Sequence, residues 1–300
     1  MNEMQLLNNT IDLIGDDGTL EAYTYLVSNI SALDVISSQV YNFLYCLAAT
    51  SEKKEEALDW LEKAIVENEL WYRPEVFEDE DLDTLREDNR FKTCCDLSEE
   101  RYLNALKDTR TLCTWKNKTH DGIILSLHGN QQNNEINKVY WDFLKSDHLQ
   151  VGYIQSEELD SYQLFRWEDN GSGPDQLHKT LKNIEWNAYE QKILSGFSAG
   201  CNTILRTLKD KHINCDKIIM MAPWMPIVEE HVTEIIETLK IKGIEVLIIC
   251  GEEDEDCLPQ CQLFETKAKE LGLKIKTHYM DGLGHDYPEN FQELVLSFMV

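Results

Sequence analysis

The chain has 300 residues, 42% hydrophobic and 28% charged, enough for one large domain or two modest ones with a sizeable core. Its 55 acidic and 28 basic side chains leave a formal charge of −27. That balance argues against a nucleic-acid partner and an anionic membrane surface, which need clustered Lys and Arg, and it disfavours a strongly anionic substrate.

The N-terminal stretch "MNEMQLLNNTIDLIGDDG" has neither a basic start nor a long apolar run, so no secretory signal is expected. No run reaches the roughly 18 apolar residues of a membrane span. The 9 cysteines are odd in number, irregularly spaced and without a Cys-x-x-Cys pair. Free thiols in a reducing cytoplasm fit this pattern.

The first third reads as helical. Apolar residues recur at spacings of three and four over residues 35–50 and 51–66; Ala57, Leu58, Leu61, Ala64 and Ile65 form one stripe of the second. Ser51 stands ahead of Lys54 and Glu55 as a partial N-cap signal. The short link predicts an antiparallel pair, and an earlier pair is expected over residues 3–14 and 19–29. In residues 71–91, "WYRPEVFEDEDLDTLREDNRF", Pro74 and the acidic run break the helical pattern. This predicts a surface connector, with Trp71, Tyr72 and Phe77 available to pack against a neighbour. A helix follows near residues 98–107, and the domain boundary is placed near Thr109: a helical part over 1–108 and a second domain over 109–300.

The remainder alternates. Short β-branched runs at 122–129, 149–155, 192–196, 217–223, 246–251 and 274–280 predict strands. Amphipathic stretches at 136–146, 174–187, 199–209, 228–240 and 260–271 predict helices between them. Repeated strand–helix alternation with continuously apolar strands implies an α/β fold, a mostly parallel sheet with helices on both faces.

"GFSAG", with Ser198 at its centre, follows one predicted strand and opens a predicted helix. A sharp turn there holds the serine in a strained conformation above the carboxyl ends of the strands, and the glycines remove side chains that would collide. A serine hydroxyl needs a base, and the base needs an orienting carboxylate. "GEEDED", 251–256, ends a later strand and supplies acids; "GLGHDYP" places His285 in a loop after the last strand. Asp254 and Asp256 share one loop, so chain order leaves both open as the acid. "SLHGNQQNN", 126–134, follows the first strong strand and can expose the backbone N–H of Asn130, with that of Ala199 as a second donor to a developing oxyanion. "APWMP", 222–226, offers Trp224 and Met225 either to an acyl pocket or to core packing. His128, His231 and His278 read as structural.

These motifs together resemble the α/β-hydrolase superfamily, and residues 114–300 look most like its carboxylesterase, phospholipase and dienelactone-hydrolase-like group. The resemblance implies Ser198 as nucleophile, Asp254 as acid and His285 as base, with no cofactor and no metal. Its expected reaction is hydrolysis of a small-molecule carboxylic ester, with a thioester or small amide left open. Many relatives carry a second glycine where this chain has Gln131. "KKEEALDWLEKAI", 53–65, resembles a tetratricopeptide helix. Such helices imply either a wall of the substrate entrance or a binding surface for a protein partner. The alternative reading of the whole is therefore a binding module with a catalytically silent hydrolase-fold domain.

Overall fold

A computed structural model describes residues 3–16, 18–115, 121–144, 149–168 and 172–299. Two compact units divide the chain, one of Met1–Thr109 with Leu159–Leu164, the other of Arg110–Glu158 with Phe165–Val300.

The first unit holds the helices α1 (Glu3–Asp16), α2 (Thr19–Asn29), α3 (Ser38–Thr50), α4 (Lys54–Glu62) and α5 (Asn89–Ala105). Their apolar stripes meet in one core in which Leu6, Leu26, Leu44, Leu58, Leu61 and Ile65 are fully buried. Ser37 caps α3, its hydroxyl accepting from Val40 N at 3.2 Å. Ser51 does not cap α4: it closes α3, donating its N–H to Leu47 O, and Lys53 takes the N-cap position without a side-chain bond. The run after α4 leaves α-geometry for a π-turn over Lys63–Glu67.

The expected surface connector is instead part of this core. Two short 3-10 turns, Pro74–Glu78 and Glu80–Leu85, carry the acids outward while Phe77, Leu82 and Leu85 point in. Trp71 and Tyr72 are buried too. Trp71 packs on Tyr102 and Tyr162, and Tyr72 on Tyr45 and Phe77. The segment Leu159–Leu164 completes the unit. Ser161 Oγ lies 2.8 Å from Ser38 Oγ, and the Arg73 guanidinium donates to the buried Asp160 carboxylate at 3.1 Å.

The second unit is a seven-stranded sheet. Its strands are β1 (Leu112–Trp115), β2 (Gly122–Leu127), β3 (Leu149–Gln155), β6 (Gln191–Phe197), β7 (Lys217–Met221), β8 (Glu245–Gly251) and β9 (Ile275–Met280); a separate hairpin is made of β4 (Glu158–Ser161) and β5 (Leu164–Arg166). The spatial order is β1-β3-β2-β6-β7-β8-β9, parallel throughout except for β1, which runs antiparallel to β3. Strands β2, β7 and β8 read as near-continuous runs of Ile, Leu, Val and Met because both sheet faces are covered. The covering helices are α6 (Asn134–Trp141), α7 (Ser172–Asn183), α8 (Ala199–Asp210), α9 (Ile227–Ile241), α10 (Leu258–Leu271) and α11 (Phe291–Met299). Residues 145 and 146 of the first helix expected here lie outside the described residues. Only α9 separates β7 from β8.

Candidate active site

Every sequence-predicted site residue sits at or just beyond the carboxyl end of a parallel strand, where ligands bind in open α/β sheets. Ser198 lies between β6 and α8 with φ 51° and ψ −124°, a conformation L-residues avoid. Two bonds hold the turn: Ser198 N donates to Met221 O at 3.0 Å, and Ser198 O accepts from Cys201 N at 2.9 Å. The flanking glycines are required by contact. A Cβ on Gly196 would meet Cys201 N at 2.9 Å, and one on Gly200 would meet His128 O at 2.6 Å.

Asp254 and His285 are brought together. The imidazole Nδ1 lies 2.7 Å from Asp254 Oδ2, and Cys257 N donates to the other carboxylate oxygen at 3.2 Å. Asp254 is 5% exposed, whereas Asp256, the rival acid, is exposed. Burial alone would raise the Asp254 carboxyl, but the His285 hydrogen bond and charge and the Cys257 N–H outweigh it and hold the group below its ordinary value. With Nδ1–H given to the carboxylate, the lone pair of the imidazole is at Nε2. The Phe197 ring, one residue before Ser198, lies 4.9 Å from the His285 ring and stacks on Tyr287, which in turn stacks on Tyr140 at 3.8 Å. This aromatic file sets the histidine loop against the serine turn.

The loop after β2 lies against the same turn. A Cβ on Gly129 would meet Phe197 Cδ1 at 2.8 Å and Ser198 Cβ at 3.1 Å, so the bare backbone passes directly beside the serine. Gln131, which stands where many relatives carry a second glycine, has φ 57°: the position adopts the left-handed conformation with a glutamine. Among the described residues, the amides of Asn130 and Ala199 meet no protein acceptor. His128 is fully buried; Ser156 N donates to its Nε2 at 3.1 Å, which makes Nδ1 the protonated nitrogen that donates to Gly129 O at 2.6 Å. Burial pushes its pKa down to about 4, so the ring is neutral at pH 7.

The remaining candidates divide. Met225 is fully buried in the core cluster of the sheet, and the half-buried Trp224 packs against that cluster; of the two roles open to "APWMP", Met225 takes the packing one. His278 lies within β9, and His231 sits at a kink in α9 beside Glu230 and Glu234. One group that the sequence reading missed is Cys257, whose thiol lies 3.6 Å from His285 Nδ1. Asp254, Cys257 and His285 each offer a ligand atom within 4.8 Å of the others. The carboxylate and imidazole are already committed to each other, and burial together with the Asp254 charge pushes the thiol far up. The thiol therefore stays protonated beside its two partners.

Residues 2–106 match the family model described as the A/B hydrolase-like N-terminal domain. An uncharacterized protein from Bacillus cereus ATCC 10987, known from its crystal structure, is similar at 32% identity over 100% of this chain and 98% of that one, with a TM-score of 0.57. The chain belongs to the α/β-hydrolase superfamily. Solved structures of esterase PE8 and of acyl-protein thioesterase 2 from Zea mays align over 64% of this α/β-hydrolase chain and over 96% and 97% of theirs. Their identities are 17% and 15%, with TM-scores of 0.48 and 0.49. No curated protein matches the chain. Among the described residues no helix of this hydrolase-fold chain is long and apolar enough to cross a membrane.

Proposed function

We propose that this chain is a serine hydrolase that cleaves a carboxylic ester through an acyl-enzyme, with Ser198 as nucleophile, His285 as general base and acid, and Asp254 as the orienting carboxylate. The observation that carries this reading is the 2.7 Å bond between His285 Nδ1 and Asp254, set by Phe197 beside a serine in a strained strand-to-helix turn. A histidine held in this tautomer turns Nε2 towards proton transfer, and a serine in this conformation exposes Oγ.

Ser198 Oγ attacks the ester carbonyl as its proton passes to His285 Nε2. The negative charge that builds on the carbonyl oxygen is taken by the backbone N–H groups of Ala199 and Asn130. Collapse breaks the ester C–O bond, and the alkoxide leaves as the alcohol with the proton from Nε2. Water then repeats the sequence on the acyl-enzyme: Nε2 takes its proton, hydroxide adds to the carbonyl, and Ser198 leaves protonated with release of the carboxylic acid. Asp254 stays ionised throughout and stabilises the imidazolium.

The test is labelling by a fluorophosphonate probe together with turnover of a chain-length panel of p-nitrophenyl esters. Wild type is expected to be labelled and to turn over at least one ester, and Ser198→Ala to do neither. Failure of wild type on both counts would leave a hydrolase fold without the reaction.

A further inference from the structure

We propose that Trp167 is a positioning residue for the oxyanion loop, holding the loop so that the Asn130 N–H faces the reacting carbonyl. The role in turnover rests on the serine-hydrolase reading above; the holding of the loop does not.

Trp167 follows β5 and is 3% exposed. It grips the loop on both sides of Gly129. Its indole Nε1–H donates to His128 O at 2.8 Å, and its main-chain N–H donates to Asn130 Oδ1 at 2.8 Å. Its ring also lies 5.2 Å from the His128 imidazole, tilted by 31°. The imidazole is what sets the peptide plane. In a trans peptide the carbonyl and the following N–H point in opposite directions. Fixing Gly129 O on His128 Nδ1–H therefore aims the Asn130 N–H the other way.

Gln132 adds a brace from the same stretch of chain: its Oε1 accepts from Gly129 N at 3.0 Å and its carbonyl accepts from Phe165 N at 2.9 Å. The loop needs such support because Gln131 occupies a left-handed conformation that is unfavourable for a residue other than glycine. A donor that must meet charge only in the transition state is effective when it is already in place.

The decisive variant is Trp167→Phe, which keeps an aromatic ring and deletes the indole donor. Trp186→Phe is the control; that tryptophan is also buried and its Nε1–H donates to Asn214 O at 2.7 Å, so it loses an equivalent bond elsewhere in the unit. Trp167→Phe should lower kcat on a p-nitrophenyl ester about ten- to hundredfold with KM within about twofold, because the lost interaction belongs to the transition state. Trp167→His, which restores a ring N–H, should recover part of the loss, and Trp186→Phe should leave kcat within about twofold.

Amide hydrogen exchange over residues 128–132 is measured in parallel, because it reads the holding of the loop without reference to catalysis. Faster exchange in Trp167→Phe and not in Trp186→Phe supports the proposal even if the wild type proves to have no esterase activity, a result that would sink only the hydrolase reading. Unchanged exchange and kcat in a folded Trp167→Phe, or equal losses in the two tryptophan variants, overturn it. Should Trp167→Phe fail to fold, Asn130→Ala removes the acceptor of the second bond; unchanged exchange and kcat there overturn it equally.

Discussion

Gly251 lies against the backbone of Leu283 so closely that a side chain on it would overlap the Leu283 and Gly284 carbonyls. Gly251 ends β8 and opens the loop of Asp254; Leu283 and Gly284 lead into His285. The two loops are also tied by Glu253 N, which donates to Leu283 O at 3.0 Å. Asp254 and His285 are thus registered by main chain as well as by their own hydrogen bond. Gly251→Ala should push backbone against backbone and move His285 off Asp254. We expect a fall in esterase turnover of a hundredfold or more, and a stability loss of about 1–3 kcal/mol of the kind seen in overpacked sites. Urea denaturation and turnover on one p-nitrophenyl ester check both. A variant with wild-type turnover would mean that the loops can separate without cost.

The sheet was legible because its central strands are apolar on both faces and its helices are amphipathic, two patterns that differ in period. All six strands expected from those runs are present, among them Gly122–Leu127 and Glu245–Gly251. The edge strand Leu112–Trp115 and the hairpin at Glu158–Arg166 were not legible. The first is a four-residue antiparallel edge, and the second is a short pair whose residues, such as Asp160 and Ser161, read as loop until their partners in the helical unit are known. The last helix, Phe291–Met299, is a 9-residue element whose start signal is local: Asn290 stands directly before it, with Glu293 three residues on. In the acidic stretch after Trp71, charge hid the apolar positions: Leu82 and Leu85 are buried between exposed acids.

The candidate residues could be placed from strand ends, because each motif had a strand before it. Chain order does not separate Asp254 from Asp256; of the two, Asp254 is the one that is buried and bonded to His285. Asp254→Asn should lower kcat by about three to four orders of magnitude, since the amide favours the wrong imidazole tautomer. Asp256→Asn should stay within about twofold of wild type. A steady-state comparison of the two variants on one ester is sufficient, and the reverse ranking would move the acid.

The Asp254 carboxyl also makes a pH prediction. Its folded pKa is held below the ordinary 3.8, so it contributes stability above that value, and the contribution is lost as pH falls through the folded pKa. Asp254→Asn should therefore flatten the acid limb of urea stability below pH 3.8. An unchanged limb would mean that the carboxylate gains nothing from its partners on folding.

His128 acts in a different window. Folded, it stays neutral down to about pH 4; unfolded, it takes a proton below its ordinary 6.5. Between those values the unfolded state binds more protons, so stability is full above 6.5 and drains as pH falls towards 4. At about 1.36 kcal/mol per pH unit the loss is on the order of 3 kcal/mol. His128→Gln should be less stable at neutral pH, having lost its ring contacts, but should show a shallower slope between pH 6.5 and 4 in urea titrations. An identical slope would place the titration on another group.

Gln131 offers the last prediction, because the chain put a side chain where its φ of 57° favours glycine. The left-handed conformation costs a non-glycine residue roughly 1–2 kcal/mol, whereas glycine loses about 0.5–1 kcal/mol more in chain entropy on folding. The first effect is the larger, so Gln131→Gly should raise stability modestly, by up to about 1 kcal/mol in urea denaturation. A β-branched residue has no such latitude: Gln131→Val must either strain further or pull the loop out of the left-handed region. Residue 131 follows directly on the Gly129–Asn130 peptide, so that release should turn the Asn130 N–H away from Ser198. We expect Gln131→Val to lose about 1–2 kcal/mol of stability, and to lower kcat about tenfold or more with little change in KM. Equal behaviour of the glycine and valine variants in both measurements would show that the φ of residue 131 does not govern the loop.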